Sequence, residues 1–282
     1  METRFEDLIN EIVKTGQHAD FPKTTIEKEV LHHDILRILR NNGFLSELTF
    51  IGGTCLRLCY DAPRMSEDLD FTIGHPISET EITEIASDLK GKLNRKYGLP
   101  VDVRKPEKES ETDTWIVKII TRPGERDIPS QKIHLDISHF PSFDRELRRL
   151  NNHYGIDLGT SNLLLYAESV EEILSDKVIA LALRNRIKNR DIWDINYLDA
   201  KGVLLDSELT KKKLDSRNVP IAVFKERLAA NIDEIGKEGF LNGFKNEMMR
   251  FVSKEMFENS VFSDARSAVF METLLRGFLK SF

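Results

Sequence analysis

Residues 50–74 read FIGGTCLRLCYDAPRMSEDLDFTIG. Just before and into this stretch, ELTFI (47–51) is a short β-rich run, and Gly52-Gly53 ends it. Two adjacent glycines let the backbone turn sharply and approach a ligand closely, because neither carries a Cβ. Thr54 is placed to cap the next element, and Cys55 to Tyr60 reads as a short helix. A glycine turn that opens a helix presents unpaired N–H groups, which suit phosphate. A strand is expected over Asp68–Ile73 (DLDFTI), with Leu69, Phe71 and Ile73 on one face and Asp68, Asp70 and Thr72 on the other. Two carboxylates on one strand face, beside a phosphate cradle, are the hard oxygen ligands that Mg²⁺ takes. The plainer reading is a glycine turn followed by an edge strand with a wet acidic face.

Outward from this stretch, the chain has 282 residues, enough for one large domain or two ordinary ones. Its 40% hydrophobic and 31% charged content is that of an ordinary globular protein. No apolar run approaches the ~20 residues of a membrane span. The opening METRFEDLINEI is acidic and amphipathic, without a signal-peptide layout, so no membrane partner and a cytoplasmic location are expected. Cys55 and Cys59 sit four apart on one apolar helix and read as buried thiols.

A net charge of −6 excludes a globally basic nucleic-acid binder. Charge is uneven, however: Lys177, Arg184, Arg186, Lys188 and Arg190 fall in one run with no acidic residue between them. Such a local face can bind a phosphate backbone on an acidic protein. Lys211, Lys212 and Lys213 read as a solvated helix face.

Amphipathic helices are expected at 3–15 and 24–43, and a further helix over Glu79–Lys96 with Thr80 or Ser78 near its start. Strands follow at Val101–Val103, Thr114–Thr121 and Lys132–Ser138, the last two punctuated by Pro123-Gly124. In the last of these, Ile133, Leu135 and Ile137 alternate with His134, Asp136 and Ser138. Beside the strand of Asp68 and Asp70, Asp136 would complete three carboxylates on one face, the arrangement that holds divalent metals for in-line attack on phosphorus. His134 and His139 read as bystanders.

Residues 151–157 are loop-like, and Ser161–Tyr166 is a further apolar run. Ser169-Val170-Glu171-Glu172 is a capping-box pattern opening a long helix through Ile187. Lys177, Arg184 and Asp191 stand at seven-residue steps and would share a face if that helix runs on. A lysine aimed at the carboxylates could contact nucleotide phosphates. Arg190 with Asp191 or Asp194 could equally be an ion pair that holds the helix junction. Beyond about residue 205 the pattern is all-helical: 207–214, 220–232, 234–247, 249–259 and 264–280, with breaks at Pro220 and Gly236. Its phenylalanines (Phe224, Phe240, Phe244, Phe251, Phe257, Phe262, Phe270, Phe278) read as helical core.

Three blocks in this order resemble the nucleotidyltransferase fold of the DNA polymerase β superfamily. More narrowly, they resemble the AbiEii/AbiGii toxin nucleotidyltransferases of type IV toxin–antitoxin and phage-abortive systems. The blocks are Gly52-Gly53-Thr54 with Arg64, Ser66 and Asp68-Leu69-Asp70-Phe71; Ile133 to Ser138; and Lys177, Ala180-Leu181, Arg184, Arg190-Asp191 and Trp193-Asp194. Gly-Gly-Thr departs from the superfamily's usual Gly-Ser, but keeps a hydroxyl.

The resemblance implies an α+β fold: a mixed sheet flanked by helices, followed by an all-helical C-terminal domain. The parts would be N-terminal helices over 1–45, a nucleotidyltransferase core over 46–166, and a helical domain over 167–282 contributing Lys177 and Asp191. It implies that Asp68 and Asp70 bind Mg²⁺ and carry the transfer, with Asp136 as third carboxylate. Gly52, Gly53 and Thr54, joined by Arg64 and Ser66, would hold the triphosphate. Lys177 would contact the nucleotide, and Asp191 would be the acidic residue of the last motif. The reaction would transfer a nucleotide from an NTP to RNA, the tRNA 3′ end, releasing pyrophosphate. A cognate antitoxin is implied as a partner. Competing readings keep the chemistry with a small-molecule or protein-hydroxyl acceptor, or reduce the chain to a nucleotide-binding regulator.

Overall fold

A computed structural model describes residues 4–15, 20–106, 111–124, 130–237, 239–264 and 267–282. Residue 3 of the helix expected at 3–15, residue 238 of that at 234–247 and residues 265–266 of that at 264–280 lie outside the described residues. The chain divides into two compact units, Met1–Ala167 and Glu168–Phe282. Among the described residues no helix is long and apolar enough to cross a membrane.

The first unit begins with helices α1 (Arg4–Lys14) and α2 (Lys23–Asn41). Strand β1 (Thr49–Ile51), helix α3 (Gly52–Tyr60), strand β2 (Leu69–Thr72) and helix α4 (Glu79–Tyr97) follow. Strands β3 (Val101–Arg104), β4 (Thr112–Ile119), β5 (Gln131–Ser138), β6 (Arg145–Arg149) and β7 (Leu164–Glu168) complete it. They form one mixed seven-stranded sheet in the order β3-β4-β5-β2-β1-β7-β6. The centre is the β2–β5 pair, which is parallel, with Leu69 opposite Leu135, Asp70 opposite Asp136 and Phe71 opposite Ile137. Alternation explains it: Leu69, Phe71, Ile133, Leu135 and Ile137 are all buried. Phe50 of β1 stacks on Phe71 across the antiparallel pair, at 4.9 Å between ring centroids. Each such ring contributes about 1.5–3 kcal/mol by leaving water. Burying this face turns Asp70 and Asp136 to the other one.

Strand β6 carries no apolar alternation (RELRR) and escapes a period-2 reading. It is an edge strand, held partly by Arg145 over the Tyr166 ring and Arg148 over the Tyr60 ring, at 4.2 and 4.5 Å. Helix α2 is more than amphipathic: Glu27, Glu29, His32, His33 and Asp34 are buried along with its aliphatic residues. Burial of such groups requires a partner for each. Gln131 Nε2 donates to Glu27 at 2.7 Å, Arg57 grips Glu29 at 2.8 Å, and His33 meets the Thr160 hydroxyl at 2.7 Å. Asp34 takes Lys96 at 2.5 Å and the Tyr97 hydroxyl. At α4, Ser78 rather than Thr80 is the cap, in a full capping box with Glu81.

The second unit is helical: α5 (Val170–Leu183), α6 (Asn189–Ala200), α7 (Ser207–Ser216), α8 (Ile221–Ile235), α9 (Phe240–Met248), α10 (Lys254–Glu258) and α11 (Ser267–Lys280). Ser169 caps α5, accepting from Glu172 N at 3.1 Å. The long helix expected through Ile187 ends early, because Arg184 is extended (φ −67°, ψ 147°). The phenylalanine core is largely as expected: Phe224, Phe244, Phe251, Phe257 and Phe262 are buried, and Trp193 stacks on Phe262 at 5.1 Å. Phe270 is exposed on α11.

Lys213 overturns the reading of the triple lysine as a solvated face. It is buried on α7 and bound to Glu168 at 2.8 Å, Glu172 at 2.5 Å and Asp176 at 3.0 Å. Helical periodicity turned this one position of the three inward, where three carboxylates need a cation.

Candidate active site

The glycine turn is tight in a specific way. Gly52 has φ +77°, a left-handed conformation that side chains disfavour. A Cβ there would lie 2.6 Å from Asp70 Oδ2, so the Asp70 carboxylate occupies the space a side chain would fill. A Cβ on Gly53 would strike the Arg64 guanidinium and sit 3.1 Å from the Ser66 hydroxyl. Arg64 and Ser66, both buried, therefore close over the turn, and Arg64 Nη1 donates to the Met65 carbonyl at 2.9 Å.

Helix α3 starts at Gly52, three residues before the Cys55 start that a Thr54 cap implies. The N-cap is Ile51, with no side-chain cap hydrogen bond. Thr54 lies inside the first turn, buried, and its hydroxyl donates to the Asp68 carbonyl. Thr54 thus ties α3 to the approach of β2. The first N–H groups of α3 are not taken by a side-chain cap, which suits an anion.

On the sheet, Asp70 and Asp136 are register neighbours on parallel strands, as the sequence pattern requires for a shared face. Asp136 Oδ1 accepts from the Thr114 hydroxyl of β4 at 2.7 Å. Asp68 Oδ1 lies 3.1 Å from His134 Nδ1. His134, read from sequence as a bystander, belongs to this face. The signal was its i−2 spacing from Asp136 on one strand. Thr114 needed the β4–β5 register to be found. His139 instead meets Asp113 at 2.8 Å. Among the described residues no three His, Cys, Asp or Glu side chains gather tightly enough to hold a metal ion. The donor chemistry nonetheless fits a hard divalent cation: oxygen ligands from adjacent strands, with Asp70 brought forward over a Cβ-free turn.

The third block gathers within the second unit. Lys177 Nζ lies 3.0 Å from Asp191 Oδ1 and 2.7 Å from Asp194 Oδ2, and Arg184 pairs with Asp191 Oδ2. These residues do not meet because one helix runs on. Helix α5 breaks at Arg184, and α6 packs back on α5 so that Asp191 and Asp194 face it. The Arg190 guanidinium lies over the Phe251 ring at 4.6 Å. The short connection 184–188 leaves Arg184, Arg186 and Lys188 exposed.

A mixed sheet carrying a glycine turn, a helix and a strand entered through Asp-x-Asp beside a third aspartate defines a nucleotidyltransferase. The profile of the nucleotidyl transferase AbiEii toxin family, type IV TA system, matches residues 34–265, and the chain belongs to that family. The fold is similar to MenT4, a nucleotidyltransferase toxin of Mycobacterium tuberculosis, at 14% identity and TM-score 0.52, covering 92% of this chain and 93% of that one. It is similar also to JHP933 of Helicobacter pylori, at 16% identity and TM-score 0.51, covering 93% and 95%. A search of curated proteins found no significant match.

Proposed function

We propose that this nucleotidyltransferase toxin is Mg²⁺-dependent and transfers a nucleotide from an NTP to an RNA acceptor, the tRNA 3′ end, releasing pyrophosphate. The observation that supports it most is the pairing of Asp70 with Asp136, with Asp70 lodged against Gly52. Asp68, Asp70 and Asp136 would hold the metal, which when bound neutralises charge on the transferring phosphate and orients the attacking oxygen. The N–H groups of Gly52, Gly53 and Thr54 would take the phosphates, with the Arg64 guanidinium and Ser66 hydroxyl at the same turn. Lys177 is read as the nucleotide-contacting lysine and Asp191 as the acid of the last motif. Their salt bridge orients the lysine. Exposed Arg184, Arg186 and Lys188 supply cations for an RNA backbone on an otherwise acidic chain.

The test incubates purified protein with Mg²⁺, each α-labelled NTP and total tRNA. Label on RNA that disappears in Asp70→Ala is expected. Undiminished label in that variant overturns the site assignment. Labelling should fall steeply as salt rises, because phosphate contacts are lost to counterions. The net charge of −6 favours a second reading, a small-molecule or protein-hydroxyl acceptor. Flat salt dependence with no RNA label would select it. A cognate antitoxin is the expected partner of a type IV family member.

A further inference from the structure

The segment entering β2 is held by its backbone from two helices. His32 of α2 lies with Nε2 3.0 Å from the Glu67 carbonyl oxygen. A carbonyl only accepts, so Nε2 carries the proton and donates. Nδ1 is buried and has no hydrogen-bond partner, which suits a bare lone pair and not a second N–H. Burial holds His32 below the usual histidine range, against the pull of the Glu67 hydrogen bond, in keeping with this neutral tautomer. The next carbonyl, that of Asp68, accepts from Thr54 of α3. His32 and Thr54 are both buried. Lys28, one turn before His32 on α2, holds the Glu67 carboxylate at 3.1 Å.

Two successive peptide groups, one on each side of the Asp68 Cα, are thereby pinned from two different helices just before β2. Both donors are buried side chains held in place by packing, so these hydrogen bonds act as fixed struts on the segment. Asp68 precedes β2 and so lacks the pairing that sets Asp70 against Asp136 and Ile51. His134 of β5 meets its carboxylate, but something other than strand pairing must set its backbone.

We infer that His32 and Thr54 form a backbone clamp that positions Asp68 relative to Asp70 for holding a divalent cation. His32 is the positioning residue that no motif signals. It stands before the residues matched by the family profile, 34–265, and on a helix remote in sequence from the glycine turn. The inference rests on the reading of Asp68 and Asp70 as metal ligands. It adds that their affinity depends on a neutral donor that touches neither carboxylate.

The test titrates Mn²⁺ into the full-length chain and reads free Mn²⁺ by electron paramagnetic resonance, with a thermal melt of each variant. His32→Leu keeps bulk and loses the donor. His32→Gln returns an amide N–H near the Nε2 position. We expect His32→Leu to weaken Mn²⁺ binding about tenfold and His32→Gln to recover most of it, in keeping with the 10–100-fold effect of supporting residues around metal sites. Wild-type affinity in His32→Leu overturns the clamp. Equal loss in both variants also overturns it, since that marks a packing role. Should His32→Leu melt before binding is measured, Thr54→Val against Thr54→Ser poses the same question of the neighbouring carbonyl. Asp70→Ala separates this inference from its premise: if that variant binds Mn²⁺ as tightly as wild type, the ligand assignment fails first.

Discussion

The carboxylates of the two units are built in opposite ways. On the sheet of the first unit, Asp68 and Asp136 are half-exposed and met by a histidine and a threonine hydroxyl. In the second unit, Glu168 and Glu172 are buried against Lys213. A buried carboxylate needs a cation from its own chain, and once it has one it serves structure. A half-exposed carboxylate met by an imidazole or a hydroxyl leaves lone pairs open to a cation from outside. The contrast separates residues that hold the fold from residues available for chemistry, although both sets look alike as acidic letters in a sequence.

The contrast can be broken most directly at Lys213. Replacing it by Ala strands Glu168 and Glu172 in the core, and should cost about 3–5 kcal/mol in denaturant unfolding of the second unit. A cost below about 1 kcal/mol would show that the second unit does not rest on this cation.

Acid should act on the two units in opposite directions. All seven histidines lie in the first unit. Burial holds His33 down at about 4, and it also lowers His32 and His153. Each has a folded value below its unfolded one. Their contribution is therefore intact above about pH 6.5 and is lost as pH falls towards 4, about 3 kcal/mol for His33 alone. Glu29 adds to the loss at lower pH: burial works to raise it, but the Arg57 guanidinium holds it below the carboxylate range. Burial and the neighbouring Asp176 push Glu168 well above that range despite Lys213. A raised carboxyl favours the folded form at low pH and loses that favour as pH rises, so the second unit should resist acid better. Hydrogen exchange at pH 7 and pH 5 reads this unit by unit. Equal loss of protection in both units would refute it.

At the sheet, removing charge should spare the fold and remove the chemistry. Asp70→Asn should lower nucleotide transfer by at least about a hundredfold, with a change in stability within about 0.5 kcal/mol. A large loss of stability would place Asp70 among the structural carboxylates. The smallest effect is expected at Thr114→Val, which removes one hydrogen bond to Asp136. It should cost about 0.5–1.5 kcal/mol, seen as a several-fold weaker Mn²⁺ dependence of transfer.

The central fold was legible because its signals are local. The glycine pair, the alternation through Asp68–Ile73 and Lys132–Ser138, and the cap at Ser169 each act within one turn or one strand. Strand β6 was invisible because its five residues alternate nothing, and pairing with a neighbour is what makes it a strand. The break at Arg184 was missed because no glycine or proline marks it, and only the fold shows α6 packed back on α5.

The sequence alone determined which residue types stand at the turn and on the two strands. It also determined that Asp70 and Asp136 turn away from the apolar core, since a period of two leaves no other choice once that face is buried. Tertiary structure decided which polar residues those types would meet. It placed His32 under the Glu67 carbonyl, His134 against Asp68, Thr114 against Asp136 and Lys213 among three carboxylates. Partnership across 22 to 66 positions of chain depends on strand register and helix packing, and no local pattern encodes either.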